Sequence, residues 1–205
     1  MPDRFNYPGD REKLSAARAK ALEKLLIEKG IITSETVDKV LGFFETRMGP
    51  FNGAKLVARA WVDPAFKARL IRDTAAAIAE LDFPDGMTGA EGEHMKAVAN
   101  EPGVHNLIIC TLCSCYPWPV LGLPPYWYKD PSFRARAARE PRKILAEFGL
   151  PLDPSIEIRV WDSSAQIRWF VVPERPAGTE ALSETELAAL VTPESMMGVA
   201  IPQAA

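Results

Sequence analysis

The positions of the cysteines limit how this chain can be stabilised. All three lie within six residues, at Cys110, Cys113 and Cys115. A disulfide-stabilised protein would carry an even number of cysteines spread along the chain, because each bond acts by closing a long loop. Thiolates are soft donors, and spacings of three and two residues allow all three to face one ion. The loop is therefore predicted to hold metal ligands.

Length and charge exclude several classes of protein. The 205 residues suffice for one large domain, or for one compact domain with an additional arm. A net charge of −3 gives no reason to expect nucleic acid or an anionic membrane as a partner. No stretch approaches the roughly 18 apolar residues of a membrane span. Residues 1–18 lack the apolar core of a secretory signal, so a cytoplasmic location is expected.

The first 80 residues are predicted to be a helical arm. Apolar residues recur at helical spacing over residues 13–29, and Ser34 is placed to cap a second helix. Residues 52–61 form a further short segment. The dipeptide Asp63-Pro64 is typical of a helix start, which predicts one helix over residues 66–81.

The remaining residues, 81–205, are predicted to form an α+β domain. Proline and glycine mark residues 83–92 as a loop, and a short helix is expected over residues 93–99. The apolar, β-branched run 104–109 predicts a strand that leads directly into the cysteine loop. Helices are expected to start at Pro131 and to cover residues 141–148.

The last third adds two strands and two short helices to this domain. Apolar side chains alternate with charged ones over residues 156–161 and cluster over residues 167–172. This pattern favours a hairpin across the intervening turn. Residues 183–186 form a capping box for a late helix, and Thr192-Pro193 indicates one more helical turn.

The residues alone leave several readings of the cysteine loop open. A structural zinc site would need a fourth ligand, for which His105 or His94 is available, but zinc motifs usually pair two Cys-x-x-Cys knuckles. The cysteines could also be inert and buried. A redox Cys-x-x-Cys motif is a third reading, although Cys115 and the absence of a βαβ pattern count against it.

The loop and its flanks resemble the metal-binding segment of nitrile hydratase α subunits. The similarity is carried by the run 104–125, which contains Cys110-Thr111-Leu112-Cys113-Ser114-Cys115, and it extends from about residue 22 to residue 202. It includes the segments 53–64, 161–164, 173–179 and 197–199. The resemblance implies a helical N-terminal arm over residues 1–80, with partner-subunit contacts, and a layered αββα catalytic domain over residues 81–205.

The resemblance also implies a ligand set and an activity. Cys110, Cys113 and Cys115 would supply sulfur, and the main-chain nitrogens of Ser114 and Cys115 would complete the ligands of one low-spin Co(III) per chain. Cys113 would be oxidised to a sulfinate and Cys115 to a sulfenate, two rungs of cysteine oxidation. Cys115, Cys113 and Ser114 would then serve catalysis, the hydration of organic nitriles to amides. Thr111 and Tyr116 resemble the cobalt members of the family, so iron is less expected.

Partners follow from the same resemblance. The family's active site is completed by arginines from a β subunit, which implies an αβ heterodimer assembling as α2β2, together with a cobalt-inserting activator protein and a small nitrile substrate. Neither nucleic acid nor membrane is expected. A related alternative is the γ subunit of thiocyanate hydrolase, which usually has arginine in place of Trp118 and lacks the pair Trp161-Asp162. A non-catalytic zinc-binding interaction subunit is the alternative from another class.

Further residues are candidates for supporting the site. Thr111, Trp118, Asp162 and Gln166 are expected around the metal or the substrate channel. Many family members have a glutamate in place of Gln166, and glutamine retains hydrogen bonding but cannot ionise or act as a base. A cluster of basic residues is interpreted as a solvated helix face: Arg134, Arg136, Arg139, Arg142 and Lys143.

Overall fold

The computed structural model describes residues 10–81, 83 and 95–204 and combines helices with parallel strands. This confirms the α+β class that the sequence predicts. The helices, in chain order, are α1 Asp10–Glu28, α2 Ser34–Arg47, α3 Pro50–Val62, α4 Pro64–Arg72, α5 Thr74–Ala79, α6 Trp118–Leu121, α7 Tyr126–Lys129, α8 Pro131–Ala137, α9 Pro141–Glu147, α10 Glu184–Ala189 and α11 Pro193–Met197. The strands are β1 Met95–Ala99, β2 Val104–Ile109, β3 Glu157–Asp162 and β4 Arg168–Val172.

The helix starts follow local capping chemistry. The carboxylate of Asp63 accepts from the Phe66 amide at 2.9 Å to start α4, and Asp130 caps α8 in the same way. The predicted capping box before α10 is present, with Ser183 and Glu186 satisfying each other's amides. Thr33, rather than Ser34, caps α2.

Two helix predictions are wrong in their extent. The short segment expected from residue 52 is a full helix, α3, which starts at Pro50 in the first-turn position that tolerates proline. The single helix expected over residues 66–81 is divided into α4 and α5. Asp73 separates them because its carboxylate accepts from the Ala76 amide and starts a new helix.

Strand pairing differs from the prediction. Strand β1 pairs parallel with β4, and β2 pairs parallel with β3, so β3 and β4 do not form the expected hairpin. The short helix expected over residues 93–99 is wrong where the structure describes it, since residues 95–99 form β1. The segment is too short for periodicity to decide, and pairing with β4 overrides its helical preference.

The core lies between these strands and the helices that cover them. Helices α4 and α5 pack against β1, α9 contacts β3, and α11 contacts both β2 and β4. The largest fully buried side chains of the core are aromatic or aliphatic: Trp127, Tyr116, Tyr128, Phe66, Phe133, Phe170 and Leu56. Burial of this apolar surface is the main stabilising term of the fold.

The first two helices contribute less to this core. Leu14, Leu22 and Leu25 of α1 and Val40 and Leu41 of α2 are all about half exposed or more. None of the helices in the described ranges has both the length and the apolar character required to traverse a lipid bilayer. The division of the chain at residue 80 stays a prediction.

Candidate metal centre

The cysteine loop begins where strand β2 ends. Ile109, the last residue of β2, is paired with Asp162, the last residue of β3. Because the two strands are parallel, their carboxyl ends meet at one edge, where ligand sites of such sheets usually lie. The register thus places the Asp162 side chain beside the first residues of the loop.

The three sulfur atoms converge on one point. The Sγ atoms of Cys110 and Cys113 are 3.5 Å apart, those of Cys113 and Cys115 are 3.2 Å apart, and all three lie within 4.8 Å of one another. Ligand atoms about 2.3 Å from one ion lie about 3–4 Å apart from their neighbours. The spacings therefore allow all three sulfurs to bind the same ion.

Exposure is graded across the three sulfurs. Cys110 is fully buried, Cys115 is half-buried and Cys113 is exposed. Ser114, between the last two cysteines, is half-buried. A ligand set arranged in this way anchors one side of an ion in the protein and leaves the other side accessible.

The pKa values of two of the thiols are shifted in opposite directions. Hydrogen bonding with Cys115 lowers the pKa of the Cys113 thiol, whereas burial, followed by the interaction with Cys113, raises the pKa of Cys115 to about 12. The Cys113 amide also donates to the Cys110 sulfur at 3.3 Å. Because metals bind thiolates, loading this loop would release protons.

Thr111 is held by all its polar groups. Its amide donates to Oδ1 of Asp162 at 2.9 Å, and its hydroxyl donates to Oδ2 at 2.5 Å. Its carbonyl accepts from Nη1 of Arg134 at 3.3 Å. The structure therefore brings Asp162 and Arg134 to Thr111, the residue that follows Cys110.

The far end of the loop is anchored by a buried tyrosine. The hydroxyl of Tyr128 donates to the Cys115 carbonyl at 2.8 Å, and its ring packs edge-on against Tyr116 with centroids 5.2 Å apart. Burial raises the pKa of Tyr128, so its hydroxyl stays protonated and remains a donor. Nothing in the local sequence pattern around Tyr128 indicates this contact with Cys115.

The other two residues predicted around the site are Trp118, in α6, and Gln166, between β3 and β4. Trp118 starts α6, is 42% exposed and packs against Phe44 of α2 with ring centroids 6.0 Å apart. Gln166 lies in the connection between β3 and β4, where its side-chain carbonyl accepts from the Ser164 hydroxyl at 3.1 Å.

His105 is a structural residue. Its Nε2 lies 2.7 Å from the Gly198 carbonyl, and Nδ1 lies 3.3 Å from the Asn100 amide. Both ring nitrogens are thus engaged away from the sulfurs, and His94 lies outside the described residues. Within the described part of the chain, the group that could hold a metal consists of the three cysteines alone.

The interpretation of the basic cluster as a solvated face is wrong for three of its members. Arg136 pairs with Glu140 and Glu147, each at 2.7 Å. Arg142 donates to main-chain carbonyls before β3, including that of Ile156 at 2.6 Å. Arg134 is half-buried beside residues 110–115, the metal loop. Helical spacing shows that such side chains are near one another, but not what each one reaches.

Comparison with known families identifies the group to which this chain is related. Residues 13–200 match the family described as nitrile hydratase, alpha chain. The chain belongs to this family. As a nitrile hydratase α chain, it is 52% identical to the low-molecular weight cobalt-containing nitrile hydratase subunit alpha of Rhodococcus rhodochrous, across 98% of this chain and 95% of that protein.

Two further relatives extend the comparison. The solved structure of a double mutant of the Fe-type nitrile hydratase from Comamonas testosteroni Ni1 has a TM-score of 0.83 and 42% identity, covering 94% of this chain and 92% of that one. The thiocyanate hydrolase subunit gamma of Thiobacillus thioparus is 39% identical over 89% of this chain and 78% of its own length. The nitrile hydratase α fold thus also occurs in a relative named for another substrate.

Proposed function

We propose that this chain is the metal-bearing α subunit of a cobalt nitrile hydratase, which hydrates organic nitriles to amides. The observation that carries the proposal is the convergence of three sulfurs in one loop at the carboxyl edge of two parallel strands. Cobalt is favoured over iron by Thr111 and Tyr116 and by the name of the Rhodococcus relative.

The residues present suit such a metal. Cys110, Cys113 and Cys115 would supply sulfur, and the main-chain nitrogens of Ser114 and Cys115 would complete the set around one Co(III). When bound, the ion would supply Lewis acidity toward the nitrile or a water molecule. An amide nitrogen loses its proton only to a strongly polarising centre, so this donor set suits a trivalent ion better than zinc.

The chain's own residues divide the remaining work. Cys115, as a sulfenate, would act as nucleophile or base toward the nitrile carbon or the water that adds to it. Cys113, as a sulfinate, would weaken sulfur donation to the ion. Asp162 and Thr111 hold the start of the loop, and Trp118, exposed beside the loop, would line the entry for a small apolar nitrile.

A partner subunit is part of the proposal. Leu112 of the loop is 86% exposed and Leu123 is 70% exposed, and both offer apolar surface for another chain to cover. A β subunit would cover it and supply arginines to the oxidised sulfurs, in a heterodimer that assembles further to α2β2. A cobalt-inserting activator and a cytoplasmic location complete the proposal.

Gln166 is not expected to prevent assembly of the metal loop. Its side chain is tied to Ser164, whereas Thr111 is held by Asp162 and Arg134. We therefore expect the loop to load metal with glutamine at this position. The effect of the missing carboxylate would be on rate or substrate range, because glutamine cannot accept a proton.

Co-expression with the partner β subunit and cobalt tests the function. We expect one cobalt per α chain, sulfur-to-metal charge-transfer absorption, two oxygens on Cys113 and one on Cys115 in the intact mass of the loop peptide. The assembled enzyme should hydrate acrylonitrile. A colourless zinc complex with unmodified cysteines would refute the proposal.

Thiocyanate hydrolysis is the second candidate. It is supported by the Thiobacillus relative, which shares 39% identity with this chain. Trp118 and the pair Trp161-Asp162 favour nitriles over thiocyanate. Parallel assays of the same cobalt-loaded complex with acrylonitrile and thiocyanate distinguish the two, since turnover of thiocyanate alone would favour the second candidate.

A further inference from the structure

Arg134 differs from the other basic residues of α8 and α9. Arg136 and Lys143 form ion pairs with neighbouring glutamates, and Arg142 binds main-chain carbonyls. Arg134 instead donates to the Thr111 carbonyl. Among the residues that the structure describes, no carboxylate forms an ion pair with it.

Thr111 lies between two opposite charges. Asp162, from the end of β3, accepts from its amide and hydroxyl, and Arg134, from α8, donates to its carbonyl. Both ends of the Thr111 backbone are thus fixed by side chains from separate elements. Thr111 directly follows Cys110, the buried sulfur, so this arrangement sets the direction in which the loop leaves β2.

The burial of Arg134 has an unfavourable free energy that another interaction must offset. Its Nε is buried and has no hydrogen-bond partner, an arrangement that is unfavourable for a charged donor. In the proposed metal site each of the three sulfur groups is anionic, as a thiolate, a sulfinate and a sulfenate. A guanidinium next to Thr111 would offset part of that charge, and the carboxylate of Asp162 cannot.

We propose that Arg134 is a positioning residue of the metal loop. Through the Thr111 carbonyl it holds the Cys110 end of the loop in its metal-binding geometry, and it supplies a positive charge from within the α chain. This inference rests on the proposed function. Arginines of a β subunit would approach the loop from outside, whereas Arg134 acts from the chain's own helix.

The test measures how firmly cobalt is held. Wild-type, R134Q, R134K and R139Q α chains are each co-expressed with the β subunit and cobalt, and cobalt release to a strong chelator is followed by the loss of charge-transfer absorption. Substitution of a residue that orients metal ligands without binding the metal itself typically weakens metal affinity about 10–100-fold. We expect release from R134Q about tenfold faster than from wild type and an intermediate rate for R134K, since lysine restores the charge but not the planar donor group.

R139Q is the matched control, because it removes the same charge from an exposed residue just beyond the same helix. It should release cobalt at the wild-type rate. A cobalt-loaded R134Q complex with wild-type release and absorption would overturn the inference. If R134Q fails to assemble, R134K decides: faster release than wild type supports the inference, and equal release overturns it. A wild-type complex without cobalt would refute the proposed function, and this inference with it.

Discussion

His105 connects strand β2 to the C-terminal segment. Its ring is bound to the Gly198 carbonyl, and Gly198 has a φ of 81°, a left-handed conformation that favours glycine. A Cβ at position 198 would overlap the Asn106 carbonyl, so glycine is also required by space. This residue-level contact fixes the end of the chain against the strand that leads to the metal loop.

The pH dependence of stability should reveal this contact. Burial lowers the pKa of His105 below its ordinary value of 6.5. Between the folded-state pKa and 6.5 the unfolded chain binds more protons than the folded one, so the contribution of His105 is complete above pH 6.5 and declines as the pH falls below it. We expect the melting temperature of wild type to fall more steeply than that of H105Q between pH 7 and pH 5.

Glutamine can still donate to the Gly198 carbonyl but does not titrate in this range. H105Q therefore removes the titrating ring but keeps a hydrogen-bond donor for this carbonyl. Parallel melting curves for the two proteins across the acid range would contradict the assignment of a buried neutral histidine.

At the scale of secondary-structure elements, a close contact between helices determines where α6 lies. Gly53 of α3 is buried, and a Cβ there would meet the Val120 carbonyl of α6 and the Met196 sulfur of α11. The two backbones approach closely because glycine has no side chain. Since α6 begins at Trp118, three residues after Cys115, this contact also supports the position of the loop.

A pair of glycine substitutions should separate packing from helix propensity. G53A is expected to destabilise the protein by about 1–3 kcal/mol, because the added methyl group forces α3 and α6 apart. G42A, in α2, has open space around its Cβ position and should instead stabilise by about 0.5–1 kcal/mol. Chemical denaturation of both variants measures the difference; equal effects of the same sign would show that Gly53 is not at a close contact.

At the scale of the whole molecule, the N-terminal helices leave apolar side chains exposed. Leu22 is 57% exposed and Leu25 is 46% exposed on α1. Full burial of such a side chain contributes about 1.5–3 kcal/mol. We expect that the complex with the β subunit buries them, as the partner contacts predicted for residues 1–80 require.

Charge introduced on this helix should weaken assembly and leave the α chain folded. L22E/L25E is expected to reduce affinity for the β subunit by at least about tenfold, because two buried leucines would be lost from the interface. K20E changes an exposed residue of the same helix and is the control. Titration calorimetry or size-exclusion chromatography measures assembly, and unchanged affinity of the double variant would place the interface elsewhere.

Local signals in the sequence determined the cysteine loop, several of the helix starts and the α+β class. Capping by Asp63, Asp130 and Ser183 acts over three or four residues, and the cysteine spacing acts over six, so each is visible in a short stretch of chain. Resemblance of the whole loop to one family then indicated the ligands and the metal.

Only the tertiary structure decided which residues surround that loop. Thr111 and Asp162 are separated by 51 positions and meet because β2 and β3 are parallel, a pairing that a hairpin prediction misses. Arg134 and Tyr128 reach the loop because α7 and α8 pack beside it. Strand pairing and helix packing depend on the burial of surfaces distant in sequence, and no local pattern records that choice.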